Sequence, residues 1–195
     1  MILKTLHQVW LQGGEPPALA TIARTVAHAA GWSYAIWSAA DVSNLTTASQ
    51  AIFRALSPRC LHISQQSNVL RYLVLLDQGG LYLDTDVDLR AMPEGLTDAW
   101  VASCRGRHGV SGFALASPES HPSIERIVHK LPDTDLAKHT EAGPVLLSKN
   151  LEGFNLWPIE AWRDTEGGPS AIYGHHLCSG RASGTFALPP VAVPA

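Results

Sequence analysis

The chain has 195 residues, of which 46% are hydrophobic and 16% are charged, and its formal net charge is −3. This composition is typical of a single globular domain with a sizeable core, here spanning 1–195, and it argues against disorder. The absence of a basic excess disfavours a protein that holds nucleic acid through its overall field.

Cysteine usage and the first residues indicate the compartment. The three cysteines are odd in number, widely spaced and without a CxxC pattern, which is typical of a reducing environment. The opening MILKTLHQVWLQGG is too short and too polar for a signal peptide, and no window of 18 apolar residues predicts a membrane span. We therefore expect a cytoplasmic protein without a membrane span.

Hydrophobic periodicity and turn residues predict alternating strands and helices. In chain order, the predicted elements are a strand at 6–11, a helix at 19–30, a strand at 33–38, helices at 46–56 and 68–78, strands at 81–84, 99–104 and 112–117, and helices at 121–131 and 143–151. Ser67 is the expected N-cap of the third helix and Gly79 its C′ residue. The Gly-, Pro- and Ser-rich segment 165–195 is expected to form a lid or tail.

Strands that alternate with helices predict an α/β fold, in which helices flank a sheet with parallel pairing. Ligands of such sheets bind beyond the carboxyl ends of the strands. The stretch GGLYLDTDVDLR (79–90) places Asp84, Asp86 and Asp88 at such a strand end. Neighbouring carboxylates repel each other unless a cation or a proton intervenes, and oxygen ligands suit Mg²⁺, Mn²⁺ or Ca²⁺.

The aspartate cluster has four interpretations. A solvated acidic turn is the ordinary one, since aspartates are common in turns. An EF-hand is excluded, because Leu89 stands where that loop needs glycine and Gly95 where it needs a bidentate glutamate. An aspartyl phosphohydrolase would carry the motif on an early strand with a threonine soon after the second aspartate. The fourth interpretation is a metal that neutralises the leaving diphosphate of a nucleotide-sugar.

Three further residues support a polar ligand. Arg71 lies within an apolar helix, where a charge needs a ligand, a path to water or an acidic partner from the same sheet edge. Asn68 precedes it by three residues and so can share its helix face. Trp10 ends the first predicted strand, where it either stacks on a nucleobase or belongs to the core.

The pair His175 and His176 follows in IYGHH, at a predicted strand-to-loop junction. An imidazole can complete a metal site that already has carboxylate ligands, although a lone histidine is more often structural.

Several segments in order resemble glycosyltransferase family 32, the DXD sugar transferases related to yeast initiating mannosyltransferases and capsular polysaccharide enzymes. The central one is SNVLRYLVLLDQGGLYLDTDVDL (67–89), and the others are HQVWLQGG (7–14), AGPVLL (142–147), WPIEAW (157–162) and IYGHH (172–176). The resemblance implies a GT-A fold, a Rossmann-like mixed sheet flanked by helices. It also implies an Mn²⁺ or Mg²⁺ cofactor, a nucleotide-sugar donor that is most often UDP-linked, and transfer with retention at the anomeric carbon.

The resemblance assigns the metal-site roles. Asp84 and Asp86 would be the catalytic DXD pair, with Asp86 the direct metal ligand and Asp84 reaching the sugar or ribose or binding through water. His175 would meet the metal, with His176 as the alternative after a slip of one residue.

The resemblance also assigns substrate contacts. Arg71 would contact the sugar or diphosphate, and Asn68 a sugar hydroxyl. Trp10 would stack on the base, and Gly143 would lie at the Gly-Pro helix start that borders the donor.

The sequence departs from the family pattern in two places. Asn68 stands where the family has an acid, and Ser179-Gly180-Arg181 replaces a terminal Ser-Trp pair. A nucleotide-sugar-binding module without turnover is therefore the alternative to an active transferase. The acceptor stays open among a glycan, a lipid-linked sugar, a protein and a modified nucleobase.

Overall fold

The structure is a computed structural model that describes residues 2–104, 108–138, 140–162 and 172–177. The strands are β1 Thr5–Val9, β2 Ser33–Trp37, β3 Gly80–Leu83, β4 Val87–Leu89, β5 Trp100–Ser103, β6 Val110–Ser117, β7 Asn155–Trp157 and β8 Gly174–His176. The α-helices are α1 Ala18–Ala29, α2 Thr47–Leu56, α3 Ile63–Gln78, α4 Pro122–Lys130, α5 Leu146–Ser148 and α6 Ile159–Trp162.

In the described part of the chain, six strands form a mixed sheet in the order β2-β1-β3-β6-β5-β7. The pairs β1–β2, β1–β3 and β5–β7 are parallel, whereas β3–β6 and β5–β6 are antiparallel. The strands β4 and β8 form a separate antiparallel pair. The predicted α/β sheet with flanking helices is confirmed.

The central strand β3 is buried on both faces, which explains its uninterrupted apolar sequence. Leu81 and Leu83 belong to the core cluster that includes α1 and β4, while Tyr82 faces the cluster built by α2, α3 and α4. Because side chains alternate across a strand, Asp84 continues the Tyr82 face at the carboxyl end of β3.

Helix α3 begins earlier than predicted, at Ile63 rather than after Ser67. His62 caps it, and Gln65 returns a hydrogen bond to the backbone N–H of His62 at 2.9 Å, which completes a capping box. The predicted cap at Ser67 was wrong because this polar first turn has the composition of a loop. Gln65 and Gln66 are nevertheless buried, with side-chain hydrogen bonds to backbone carbonyls.

The Gly79–Gly80 pair lets the chain turn sharply from α3 into β3. Gly79 ends the helix as predicted, with φ of 62°, and Gly80 follows with φ of 99°. A Cβ on Gly80 would lie 2.6 Å from the carbonyl oxygen of Thr5 on the neighbouring strand. Glycine is therefore required here both for backbone conformation and for space.

The last third of the chain departs most from expectation. The predicted helix over 143–151 is instead a π-helical turn, Glu141–Val145, that continues into the short α5. Pro144 lies inside that turn, and the residue before it is not helical, in keeping with the steric restriction that proline imposes. Of the predicted lid or tail over 165–195, only 172–177 lie within the described residues.

Within the described ranges, we find no helix with the length and apolar character needed to cross a membrane.

Candidate functional site

The first two aspartates of the cluster follow the carboxyl end of β3 and precede β4. Asp84 comes directly after β3, and Asp86 directly before β4. Trp10 directly follows β1, which runs parallel to β3 and next to it. Trp10 and Asp84 therefore lie at the same edge of the sheet, where ligands of α/β sheets bind.

Asp84 is held by side chains and by backbone. Its Oδ1 accepts hydrogen bonds from the Tyr82 hydroxyl at 2.7 Å and from the Arg71 guanidinium at 3.0 Å. Its N–H donates to the carbonyl of Phe113 at 2.8 Å, and its carbonyl accepts from the Gln8 amide at 3.1 Å. The protein thus sets the orientation of this carboxylate before any ligand arrives.

Arg71 is buried, with 5% of its surface exposed, and it forms an ion pair with Asp84. Besides that ion pair, it donates to the carbonyl of Gly112, and its guanidinium lies 4.6 Å from the centre of the Tyr82 ring. A Cβ at Gly112 would clash with the guanidinium, so glycine provides the space that Arg71 occupies. Of the alternatives that the sequence left open, the structure shows the acidic partner, and it shows Arg71 bound to protein groups.

The surroundings of Arg71 keep its guanidinium charged despite burial. Burial opposes the charge on Arg71, but Asp84, Tyr82 and Tyr72 outweigh burial and raise the pKa of Arg71 overall. Burial also raises the pKa of Tyr82 well above its ordinary value, with Arg71 opposing. Tyr82 therefore remains a hydroxyl donor to Asp84 at neutral pH.

Asp86 and His176 meet across the β4–β8 pair. In the ladder, His176 lies opposite Val87, and the N–H of Leu177 donates to the carbonyl of Asp86 at 3.1 Å. The His176 Nε2 lies 3.3 Å from Oδ1 of Asp86, and both side chains are about one-fifth exposed. The backbone ladder thereby brings a residue from near the end of the described chain to the DXD segment.

Asp84, Asp86 and His176 form a candidate cation site. One ligand atom from each residue lies within 4.8 Å of the others. Two carboxylates and an imidazole suit Mn²⁺ or Mg²⁺, and a cation between the carboxylates would relieve their mutual repulsion. The residues therefore fit the divalent cofactor that the sequence predicted.

Of the two predicted histidines, His176 joins this cluster and His175 does not. Successive side chains of a strand point to opposite faces, so only one of two neighbours can face the aspartates. His175 pairs in the ladder with Asp88, whose carboxylate lies 3.5 Å from Arg90. The structure thus brings His176, the second choice, to the aspartates, and metal binding by either histidine stays a prediction.

Asn68, on helix α3, lies against Gly143. A Cβ at Gly143 would lie 3.0 Å from Nδ2 of Asn68, so the glycine allows the amide to approach the backbone. One turn further along α3, the Tyr72 hydroxyl donates to the carbonyl of Ala142 at 3.1 Å. These contacts fix the Gly-Pro turn to the helix that carries Arg71. Substrate contact by Asn68 and Gly143 stays a prediction.

Trp10 is partly exposed at the end of β1. Its N–H donates to the carbonyl of Trp37 at 2.8 Å, and its indole Nε1 donates to the carbonyl of Gly13 at 3.1 Å. The ring is therefore anchored by the Gly-Gly turn at the ligand-binding edge. Its predicted stacking on a base stays a prediction.

Sequence reasoning missed Tyr82, Phe113 and Gln8 as supports of the site. Tyr82 could have been found from the sequence, because residues two apart on a strand share a face and Tyr82 precedes Asp84 by two. Phe113 and Gln8 come from other strands, so their contacts with Asp84 depend on sheet register, which the local sequence does not encode.

Residues 18–103 match the family described as "Glycosyltransferase sugar-binding region containing DXD motif". Two curated relatives from Schizosaccharomyces pombe are inositol phosphoceramide mannosyltransferase 1, 21% identical over 187 residues, and inositol phosphoceramide mannosyltransferase 3, 24% identical over 186 residues. The alignments cover 89% and 90% of this chain, but 58% and 49% of the relatives. The chain thus spans about half the length of the curated relatives it matches.

Among solved structures, the PaToxG glycosyltransferase superposes with a TM-score of 0.60 at 18% identity, covering 77% of this chain and 69% of that one. At this identity, the likeness shows a shared GT-A fold. The family match, the relatives and the fold all agree with the resemblance to glycosyltransferase family 32 that the sequence carries, although the family match covers less than half of the chain.

Proposed function

We propose that the chain transfers a sugar from a nucleotide-sugar donor to an acceptor hydroxyl, with a divalent cation at the site. The observation that carries the proposal is the cluster of Asp84, Asp86 and His176 at the ligand-binding edge of the sheet. Asp86 and His176 would hold the cation together with the Asp84 carboxylate, which Arg71 orients. When bound, the cation supplies Lewis-acid neutralisation of charge on the leaving diphosphate.

The chain's own residues account for donor placement. The Trp10 ring offers an aromatic face for the base, and the Asn68 amide can both donate to and accept from sugar hydroxyls. The Arg71–Asp84 pair keeps one carboxylate fixed, so little rearrangement is needed when the donor binds. This preorganisation is the usual source of electrostatic stabilisation in enzymes.

We infer transfer with retention, which the family resemblance supports. The bond from the anomeric carbon to the phosphate oxygen breaks, and the acceptor oxygen attacks from the same face. The acceptor proton passes to the departing phosphate oxygen. Proton NMR of the first product formed would test this, since the anomeric coupling should match the donor and the opposite anomer would contradict retention.

The donor is proposed to be UDP-linked or to carry mannose. The family resemblance favours UDP, while the names of the two curated relatives favour mannose. Those names also make an inositol-containing sphingolipid the first acceptor to try. A panel of UDP-glucose, UDP-galactose, UDP-N-acetylglucosamine and GDP-mannose separates the donor choices.

The experiment is nucleotide release from each donor, with Mn²⁺ and then with excess EDTA, in the absence and presence of inositol phosphoceramide as the acceptor. We expect release from one donor with Mn²⁺, and at least a tenfold loss with EDTA. Equal release from all donors, or release that EDTA leaves unchanged, would contradict the proposal.

A nucleotide-sugar-binding module without turnover is the second candidate. Asn68, in place of the family's acid, favours it because the neutral amide removes one charge from the donor site. Calorimetry with Mn²⁺ would then show binding of one donor, while no nucleotide is released. The Asn68→Asp variant would distinguish the candidates further, because a gain of turnover would identify Asn68 as the cause of its absence in the wild type.

We also retain the cytoplasmic location as a proposal. Among the described residues, Cys60 and Cys104 are free thiols, which agrees with a reducing compartment. Fractionation of cells that express the tagged chain would test it, and recovery in a secretory fraction would contradict it.

A further inference from the structure

Phe113 contacts Asp84 and His176, two of the three residues of the candidate cation site. It lies on β6, which pairs with β3 on the side away from β1. Its backbone carbonyl accepts the hydrogen bond from the N–H of Asp84 at 2.8 Å. Its ring stacks on the imidazole of His176, with centroids 4.1 Å apart and planes 15° from parallel. One residue thus connects the end of β3 with the strand that carries His176.

We propose that Phe113 is a positioning residue, whose ring sets the plane of the His176 imidazole so that Nε2 faces Asp84 and Asp86. The inference rests on the proposed function, because it takes His176 to serve the cation. It goes further by assigning a role to a residue that is not one of the three candidate ligands.

The backbone ladder alone does not define the imidazole plane. The β4–β8 pairing places the Cα of His176 opposite Val87. The last torsion of a histidine side chain, however, has broad minima and takes its value from neighbouring groups. A flat ring stacked at 4.1 Å restricts that torsion from one face.

Phe113 is itself held rigidly. It is 4% exposed, and its ring packs edge to face against the Trp162 ring, with the ring centroids 6.3 Å apart. Trp162 in turn contacts Tyr173, which directly precedes β8, at 5.4 Å. The orienting ring and the strand that carries His176 therefore rest on the same aromatic support.

The test is Mn²⁺ binding by Phe113→Leu and Phe113→Tyr, measured by calorimetry and by electron spin echo modulation, which detects a nitrogen ligand on Mn²⁺. Loss of a group that orients a ligand typically lowers metal affinity 10–100-fold. We expect Phe113→Leu to bind Mn²⁺ about tenfold more weakly, with a diminished nitrogen signal. Phe113→Tyr, which keeps the ring, should retain both. Phe113→Met serves in place of the leucine variant if that variant fails to fold.

A matched control is Phe53→Leu, since Phe53 is 1% exposed in the core cluster on the other face of the sheet. It should lower the melting temperature while leaving Mn²⁺ affinity unchanged. In the His176→Ala background, Phe113→Leu should weaken Mn²⁺ binding little further, because both changes remove the same interaction.

Two results would overturn the inference in different ways. Wild-type affinity and nitrogen signal in Phe113→Leu, or fully additive losses in the double variant, would show that Phe113 does not act through His176. Absence of Mn²⁺ binding in the wild-type chain would instead overturn the cation site, and with it both the proposed function and this role.

Discussion

At the scale of single residues, the site depends on one ion pair between the buried Arg71 and the partly buried Asp84. Arg71 gives hydrogen bonds to Asp84 and to the carbonyl of Gly112, and Tyr82 gives a further one to Asp84. A buried pair contributes little net stability, but removal of one partner leaves the other charge uncompensated. The pair therefore orients the first DXD carboxylate, and its loss would affect both folding and donor binding.

Arg71→Met should lower the free energy of unfolding by about 2–4 kcal/mol, because the Asp84 carboxylate and the Gly112 carbonyl lose their partner. Urea unfolding measures this. Arg54→Met is the matched control, since Arg54 lies exposed on α2 and should change stability by no more than about 0.5 kcal/mol. Equal losses in the two variants would contradict the account.

At the scale of elements, the connection from α3 to β3 delivers the aspartates to the sheet edge. The helix stop, the Gly79–Gly80 turn and the apolar strand are local features, which is why the sequence predicted them. The start of α3 was missed because the N-cap residue of its capping box is His62 in place of the usual serine or threonine. Strand β4 was missed because its three residues carry no periodic signal, whereas β8 lies at the strand-to-loop junction predicted around IYGHH.

Gly80→Ala should destabilise the fold by about 3 kcal/mol or more, since the methyl group adds a clash with the Thr5 carbonyl to the cost of a positive φ. Gly31→Ala is the matched control. Gly31 has φ of 73°, but a Cβ there meets nothing within 4 Å, so only about 1 kcal/mol of backbone strain is expected. Thermal unfolding compares them, and similar losses would show that the close approach of β1 and β3 is unimportant.

At the scale of the whole molecule, the sheet brings together residues that are far apart in sequence. The position of Asp84 and Asp86 at a strand end followed from pattern alone. The choice of His176 over His175 required the strand register, and the Arg71–Asp84 pair required the packing of α3 on β3 and β6. The roles of Phe113 and Gln8 are likewise properties of the assembled sheet.

The buried centre of the sheet should also make stability depend on pH. Burial lowers the pKa of His7 from 6.5 to about 4, partly opposed by a hydrogen bond with the backbone of Gly79. Between pH 4 and pH 6.5, His7 is therefore protonated in the unfolded chain but neutral in the folded chain. The stabilising contribution is complete above pH 6.5 and is lost as the pH falls toward 4, by about 3 kcal/mol in total.

Urea unfolding at pH 7 and pH 5 would check this dependence on His7. His7→Gln should remove most of the His7 contribution to the decline, whereas His28→Gln, at an exposed position of α1, should leave the decline as in the wild type. An unchanged decline in His7→Gln would show that other groups are responsible.

The central claim is that Asp86 belongs to a cation site for sugar transfer. The measurement that tests it most directly is Mn²⁺-dependent nucleotide release by the wild type, Asp86→Ala and Asp88→Ala, with the donor that the panel identifies. Asp88 has the same chemistry two residues away but lies outside the cluster with His176. We expect at least a hundredfold loss in Asp86→Ala, since this change removes a proposed direct ligand of the cation, and near wild-type release in Asp88→Ala. Full Mn²⁺-dependent release by Asp86→Ala would contradict the central claim.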